Sequence, residues 1–385
     1  MSSKFIKCIP EWQIQRYIFQ ISQIVSNKIP CGIFCGFKTP RNLERDINYL
    51  KNLNINLSCI YVIDNSLSTK TGGGKNKISL PFITLADLPN SKFKPSQIFF
   101  MDEFSDTAFE EYFLRQGINT LIFSAVDRME SIYNFYLQNL SNIYSTYEIL
   151  ADEESKKILM AYIKGRITNK LDDFRFAPEP QYFLQGFLPN KGDIAIDGGA
   201  YDGATARDFS IQGAKVYAFE MDSSNYANCL LRAEQYGFTI ENLGLSNQEG
   251  EEFYNPSDAG SRKGLGNLTA KFIDLDTYVE RKNLPRVDYI KLDIEGAELD
   301  MLHGATKTIS RWKPKMAVSA YHKLEDLWTL ANYIKSIRPD YEFYFRHYRI
   351  DCKDYILDDA QRAVLKKFGL DYFVPNFCEC VLYCR

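Results

Sequence analysis

Short apolar runs alternate with charged, periodic stretches along the first third of the chain. CGIFCGF at 31–37 reads as a strand, PRNLERDINYLKNLNI as a helix with one apolar stripe, and SCIYVIDN as a second strand ending in Asp64. The runs ISLPFITL, QIFFM and TLIF, with a helix in FSDTAFEEYFLRQG, continue the alternation and predict a small parallel α/β domain over 1–128. From 129 to 190 apolar residues recur at three- and four-residue spacing, so a helical connector is expected there, ended by Pro178 and Pro180. Strand-then-helix alternation resumes over 191–385. The pattern predicts an α/β chain in which a Rossmann-like domain follows a smaller, degenerate Rossmann-like domain and a helical connector.

Composition narrows the class. The chain has 385 residues, 45% of them hydrophobic, enough for two separately buried cores. Lysine plus arginine total 46 against 49 acidic residues, so the net charge of -3 offers no basic footprint and no nucleic-acid partner is expected. The opening MSSKFIKCIPEWQIQRYIF is broken by polar residues, and no run of about 18 apolar residues follows it. Neither a signal peptide nor a transmembrane segment is expected. Nine cysteines without a secretory leader read as reduced thiols, which suits the cytoplasm. Cys378, Cys380 and Cys384 have the even spacing of one strand face rather than the paired spacing of a zinc site.

Two glycine clusters in the first domain lack phosphate-binding spacing. Gly72-Gly73-Gly74-Lys75, in the loop KTGGGKNK, does not make a P-loop, and Gly32 with Gly36 does not make G-x-G-x-x-G. The ligand of this domain is left open.

The strongest chemical signal is DIAIDGGAYDG at 193–203, an apolar strand opening into D-x-G-x-x-x-G and then a helix. Asp197, Gly199, Ala200 and Gly203 form the expected cofactor turn: glycine admits a close ligand, the helix-start amides hold a carboxylate, and Asp197 orders water or an ammonium group. About twenty residues on, AKVYAFE ends in Glu220, placed to accept both ribose hydroxyls with Met221 beside it; the alternative is that Glu220 only caps the next helix. D-x-G-x-x-x-G is not the dinucleotide fingerprint, so the choice between dehydrogenase and methyltransferase tilts toward methyl transfer.

The run VDYIKLDIEGAELDMLHGA at 287–305 is a strand entering a helix. Strand alternation would point Lys291, Asp293 and Glu295 together at the carboxyl edge of the sheet, with a Lys291–Asp293 ion pair as the structural alternative. In ordered blocks from about 147 to 385, the chain resembles the FkbM family of methyltransferases. The blocks are LADEESKKIL, PEPQYF, IDGGAYDGAT, YAFEMD, NLGLSNQEGE, DYIKLDIEGAELDMLHGA, KPKMAVSAYHKLEDLW, FRHYR and CECVLYC. Gly198 departs from the apolar residue more usual in the first turn, which implies a looser strand end. The resemblance implies a class I methyltransferase domain with a mixed seven-stranded sheet whose last strand is antiparallel, helices on both faces, and O-methylation of a sugar or other hydroxyl-bearing acceptor using S-adenosylmethionine.

Methyl transfer to a hydroxyl requires alignment and a base. Among three histidines, His303 falls inside a helix and reads as structural. His322 follows the strand MAVSAY and is the expected base beside Asp293, with a solvated strand-end histidine as the alternative; Asp293 is the second candidate base and also faces the cofactor. Lys291 completes the catalytic set. Asp293, Glu295 and His322 could instead bind a divalent metal, although no dedicated spacing supports one. His347, between Arg346 and Arg349, suits acceptor contacts or a polar surface strand. Ser257–Lys271 reads as a mobile loop over the acceptor, and Gln181 with Tyr182 as the far wall of the cofactor site. A nicotinamide-dependent oxidoreductase of a sugar and a non-catalytic glycan-binding protein remain the competing functions. The partner expected is a small-molecule or glycan acceptor.

Overall fold

A computed structural model describes residues 22–36, 40–63, 79–92, 95, 97–101, 109–122, 124–168, 173–255, 262–264, 268–349, 363–364, 366–370 and 378–385. Asp64, the KTGGGKNK loop and the opening 21 residues lie outside them.

The first third forms an all-parallel sheet of β1 (Cys31–Phe34), β2 (Leu57–Val62), β3 (Phe82–Thr84), β4 (Gln97–Phe100) and β5 (Asn119–Ile122), ordered β3-β2-β1-β4-β5. Helix α1 (Pro40–Asn52) crosses from β1 to β2, burying Leu43, Ile47 and Leu50, and α2 (Glu110–Arg115) precedes β5. Parallel strands covered on both faces have no polar side, which is why CGIF and IFF read as continuous apolar runs. Gly32 has a packing role: a Cβ there would meet the Tyr61 ring at 2.8 Å.

Helices α3 (Ser124–Gln138), α4 (Leu140–Ile149) and α5 (Glu153–Thr168) follow. Their Tyr136, Ile143, Ile158, Tyr162 and Ile163 join the same apolar cluster as Ile196, Ile290 and Val318 of the second sheet, so the connector forms part of that sheet's core.

The second sheet is mixed and seven-stranded. It contains β6 (Ile194–Gly198), β7 (Lys215–Phe219), β8 (Thr239–Glu241), β13 (Tyr289–Leu292), β14 (Lys315–Ser319), β15 (Phe343–Arg349) and β16 (Cys378–Cys384) in the order β15-β16-β14-β13-β6-β7-β8. Only β16 runs antiparallel to its neighbours, as the resemblance implied. Alternate residues of β6 serve two cores, Ile194 and Ile196 on one face and Ala195 on the other. Helices α6 (Ala204–Ile211), α7 (Ser223–Tyr236), α8 (Leu275–Arg281), α9 (Glu298–His303), α10 (Thr306–Trp312) and α11 (Asp326–Ile337) complete the Rossmann-like arrangement. A further sheet, β11-β10-β12-β9, is built from β9 (Gly244–Ser246), β10 (Gly250–Asn255), β11 (Arg262–Lys263) and β12 (Leu268–Asp274). The described parts of the expected 257–271 loop are therefore mainly strand; 257–261 and 265–267 lie outside the described residues.

Between β15 and β16 the chain reaches back to the first sheet. Leu370 is buried in that sheet's core, and Phe368 packs on Phe109 and Tyr112. Cys380 and Cys384 share one buried face of β16, as their spacing predicts, and Cys380 Sγ donates to Ala320 O at 3.1 Å.

Candidate active site

Strands β6, β7, β13 and β14 are parallel neighbours, so their carboxyl ends share one edge of the sheet. The residues that follow each strand meet there, where such sheets place their ligands. Antiparallel β16 starts at the same edge, because Ser319 pairs with Val381 and Ala320 N donates to Cys380 O, which brings Glu379 into the group.

The glycine turn is held from beneath. Asp197 is fully buried and lies 3.0 Å from Lys291 Nζ, which also donates to Gly199 O at 2.7 Å and Gly198 O at 3.2 Å. Burial works against a charge on Lys291, but the carboxylates of Asp197 and Asp293 outweigh it and keep the ammonium protonated. Lys291 thus pairs with Asp197 rather than Asp293, and the structure removes it from the catalytic set: its donors hold the turn, and it is a positioning residue. Asp197, sealed under the same turn, is likewise corrected from ligand contact to anchor.

Gly199 adopts φ 76°, and a Cβ there would collide with the carbonyl oxygen of Asp293, so only glycine lets the turn pass this close to β13. The Gly199 and Ala200 amides both donate to Phe219 O at 3.0 Å. Gly203, at φ 78°, starts α6 and packs against Phe238 and Cys229. Gly198 does not loosen the strand end. A Cβ there would meet Leu292 at 2.9 Å and Leu245 at 3.2 Å, so the glycine permits tight packing of β6 on its neighbours.

Glu220 follows β7 and is buried. Its carboxylate accepts from Tyr201 N and Asp222 N, each at 2.9 Å. Helix α7 is capped by Asp222, whose side chain accepts from Ser224 N and Asn225 N. The capping alternative for Glu220 therefore fails. Met221 beside it packs against Tyr254, Ala270 and Phe272 of the four-stranded sheet.

On the other side of the turn stands Asp293. Its Oδ2 accepts from Tyr182 OH at 2.7 Å and its Oδ1 from Tyr321 OH at 3.0 Å, while Tyr182 OH also lies 2.9 Å from Ser319 Oγ. Gln181 donates to Tyr182 OH at 3.0 Å and to Glu379. Burial, and then the nearby Asp293 charge, push the Glu379 carboxyl up to about 8. Burial opposes ionisation of Asp293, but Lys291, His322 and the two tyrosine hydroxyls outweigh it and hold its carboxyl below the usual range.

Glu295 reaches this group by a route that alternation did not foresee. Strand β13 stops at Leu292, and Glu295 and Gly296 turn through positive φ, 56° and 97°. His322 Nε2 then stands 3.5 Å from both Asp293 Oδ1 and Glu295 Oε1, and its Nδ1 is 2.9 Å from Glu298 Oε1. Burial disfavours an imidazolium, but the carboxylates of Glu298, Glu295 and Asp293 outweigh it and raise the His322 pKa well above its ordinary value.

The other two histidines lie elsewhere. His303 packs on the Tyr333 ring, 4.1 Å between centroids, in keeping with a structural residue. His347 is fully buried among Tyr162, Phe174 and Phe176, and burial brings its pKa down to about 3. Arg346 is buried against Asp152 at 2.8 Å and Ser155 at 2.7 Å. Neither meets an acceptor, because α5 and residues 173–176 cover a strand that the sequence reads as polar.

Residues 197–350 match the family described as Methyltransferase FkbM domain. Hexuronic acid methyltransferase AglP of Haloferax volcanii is 31% identical over 103 residues, which are 25% of this chain and 43% of that protein, so less than half of the relative's length is matched. Methyltransferase FkbM from Methylobacillus flagellatus KT shares the fold at a TM-score of 0.62 with 20% identity, over 97% of this chain and 94% of that one. The stretch that matches the methyltransferase FkbM domain, residues 197–350, is the one that holds the glycine turn, Glu220 and the Lys291–Glu298 block.

Proposed function

We propose that the chain transfers the methyl group of S-adenosylmethionine to a hydroxyl of a sugar or glycan acceptor. The observation that carries this reading is the placement of two carboxylates, Glu220 and Asp293, on either side of one glycine turn at the sheet edge. The residues present fit the cofactor. Glu220 accepts only two amide bonds, so its carboxylate keeps lone pairs for ribose hydroxyls, and Met221 with the four-stranded sheet offers an apolar flank for a base. When bound, the cofactor supplies a methyl group on a positively charged sulfur. Asp293, ionised and fixed by two tyrosine hydroxyls, accepts the acceptor's O–H and aligns its oxygen. The sugar class is supported by the hexuronic acid methyltransferase relative.

We also read 1–128 and 191–385 as separate domains joined by 129–190: each sheet has apolar clusters of its own, with the connector's helices packed into the second and Leu370 into the first. No helix among the described residues is long and apolar enough to cross a membrane.

The test is incubation of the full chain with methyl-labelled S-adenosylmethionine and uronic-acid oligosaccharides, with the methyl located by mass spectrometry and cofactor binding followed by calorimetry. Transfer to a hydroxyl is the expected result. Binding of a nicotinamide dinucleotide in place of S-adenosylhomocysteine would move the reading to an oxidoreductase.

A further inference from the structure

We propose that Asp293, Glu295 and His322 bind a divalent cation of the kind that takes mixed oxygen and nitrogen ligands, such as Mn2+ or Zn2+. The cation's use in catalysis rests on the methyl-transfer reading above, but its binding does not.

The separations make the first argument. His322 Nε2 stands 3.5 Å from Asp293 Oδ1 and 3.5 Å from Glu295 Oε1. That is longer than an N–H···O hydrogen bond, about 2.7–3.2 Å. Two ligands each about 2.1 Å from one ion stand about 3.0–3.4 Å apart at octahedral or tetrahedral angles. One ligand atom from each of the three residues can be chosen so that all lie within 4.8 Å of one another.

The histidine supplies an independent observation. Its side chain is 3% exposed, and Nε2 makes no hydrogen bond although it points between two carboxylates. A buried ring nitrogen held 3.5 Å from two carboxylates makes no well-formed hydrogen bond, and a cation placed among the three would coordinate all of them. Nδ1 on the far side approaches Glu298 Oε1, at hydrogen-bond distance though poorly aligned, and Ile294 N donates to that same oxygen at 2.9 Å. Carboxylate, imidazole and ion in line is the arrangement that orients metal-ligating histidines, and the Tyr182 and Tyr321 hydroxyls orient Asp293 in the same way.

Charge and access agree. Asp293, Glu295 and Glu298 crowd this edge, whereas the nearby Lys291 ammonium is tied to Asp197 and the turn carbonyls. Asp293 and Glu295 side chains are 23% and 20% exposed, so three protein ligands would leave positions open toward an acceptor. A cation held there would make a hydroxyl at such a position more acidic, easing the loss of the proton that the acceptor gives up.

Chelator-treated full-length protein is titrated with Mn2+ while the free-ion electron paramagnetic resonance signal is followed, and S-adenosylhomocysteine binding is measured on the same sample without metal. One Mn2+ per chain is expected, weakened at least tenfold in Glu295→Gln and in His322→Gln, with cofactor affinity in the metal-free protein kept. No Mn2+ or Zn2+ binding at millimolar concentration, or equal binding by both variants and the native chain, overturns the proposal. Metal binding without cofactor binding overturns the methyl-transfer reading and leaves the cation site in place.

Discussion

Lys291→Met isolates the role of the buried ammonium, because methionine keeps most of the stem and removes only the charge and its donors. Asp197 is fully buried and Lys291 nearly so, and they lie 3.0 Å apart, so the substitution strands a carboxylate with no cation beside it. Breaking a buried pair from one side costs about 3–5 kcal/mol, and the carbonyls of Gly198 and Gly199 lose a donor as well. Burial already pushes the Asp197 carboxyl up against the pull of Lys291, so without the lysine it folds protonated. An acid whose folded pKa is raised stabilises the protein at low pH, and that stability is lost as pH climbs from the unfolded value toward the folded one. The variant should therefore lose up to about 1.4 kcal/mol per pH unit above roughly pH 4, a slope that Asp197→Asn in the same chain removes. Urea unfolding followed by circular dichroism at pH 5 and pH 8 reads both effects. A loss under about 1 kcal/mol that is the same at both pH values would show that the pair does not hold the turn, and would return Lys291 to the candidates for direct chemistry.

Glu220→Ala should weaken S-adenosylhomocysteine binding by about 1.5–3 kcal/mol, the scale of lost hydrogen bonds to a charged group; an unchanged dissociation constant by calorimetry would leave Glu220 with only its bonds to Tyr201 N and Asp222 N. For His347 the sign runs the other way from Asp197. The folded chain keeps the ring neutral down to about pH 3, while the unfolded chain takes a proton below about pH 6.5, so its contribution is complete above that pH and fades as pH falls. Between pH 7 and pH 5 the native chain should lose about 2 kcal/mol more than His347→Phe in urea unfolding, and equal losses would place this ring in contact with water.

Much of the architecture was legible because buried parallel strands write themselves as apolar runs. IAIDG and YIKL announced β6 and β13, and the glycines after Asp197 announced a turn, in which Gly199 takes positive φ. The chemistry was legible only where one strand end carried it. Asp293 and Glu220 were singled out from the ends of their own strands, and Tyr182 from the segment before β6, whereas the bonds that Tyr182 and Tyr321, 111 and 28 positions away, make to Asp293 are chosen by packing that no local pattern encodes. Period-two reasoning grouped Lys291 with Asp293, but the strand ends at Leu292, and beyond that point side-chain direction follows turn geometry instead.

Glu379 shows why the acceptor edge resisted reading most. It lies between Cys378 and Cys380 in a run whose cysteines alone drew attention, and an isolated glutamate there carries no local signal of chemistry. Its position follows from the antiparallel register of β16, which inserts between β14 and β15 so that the start of the last strand meets the end of β14. Gln181, 198 residues earlier, then finds Glu379 at hydrogen-bonding distance. The segment that leads into β16 also carries Phe368 and Leu370 into the core of the first sheet, so one stretch of chain links that sheet to the edge where Asp293 and Glu379 meet.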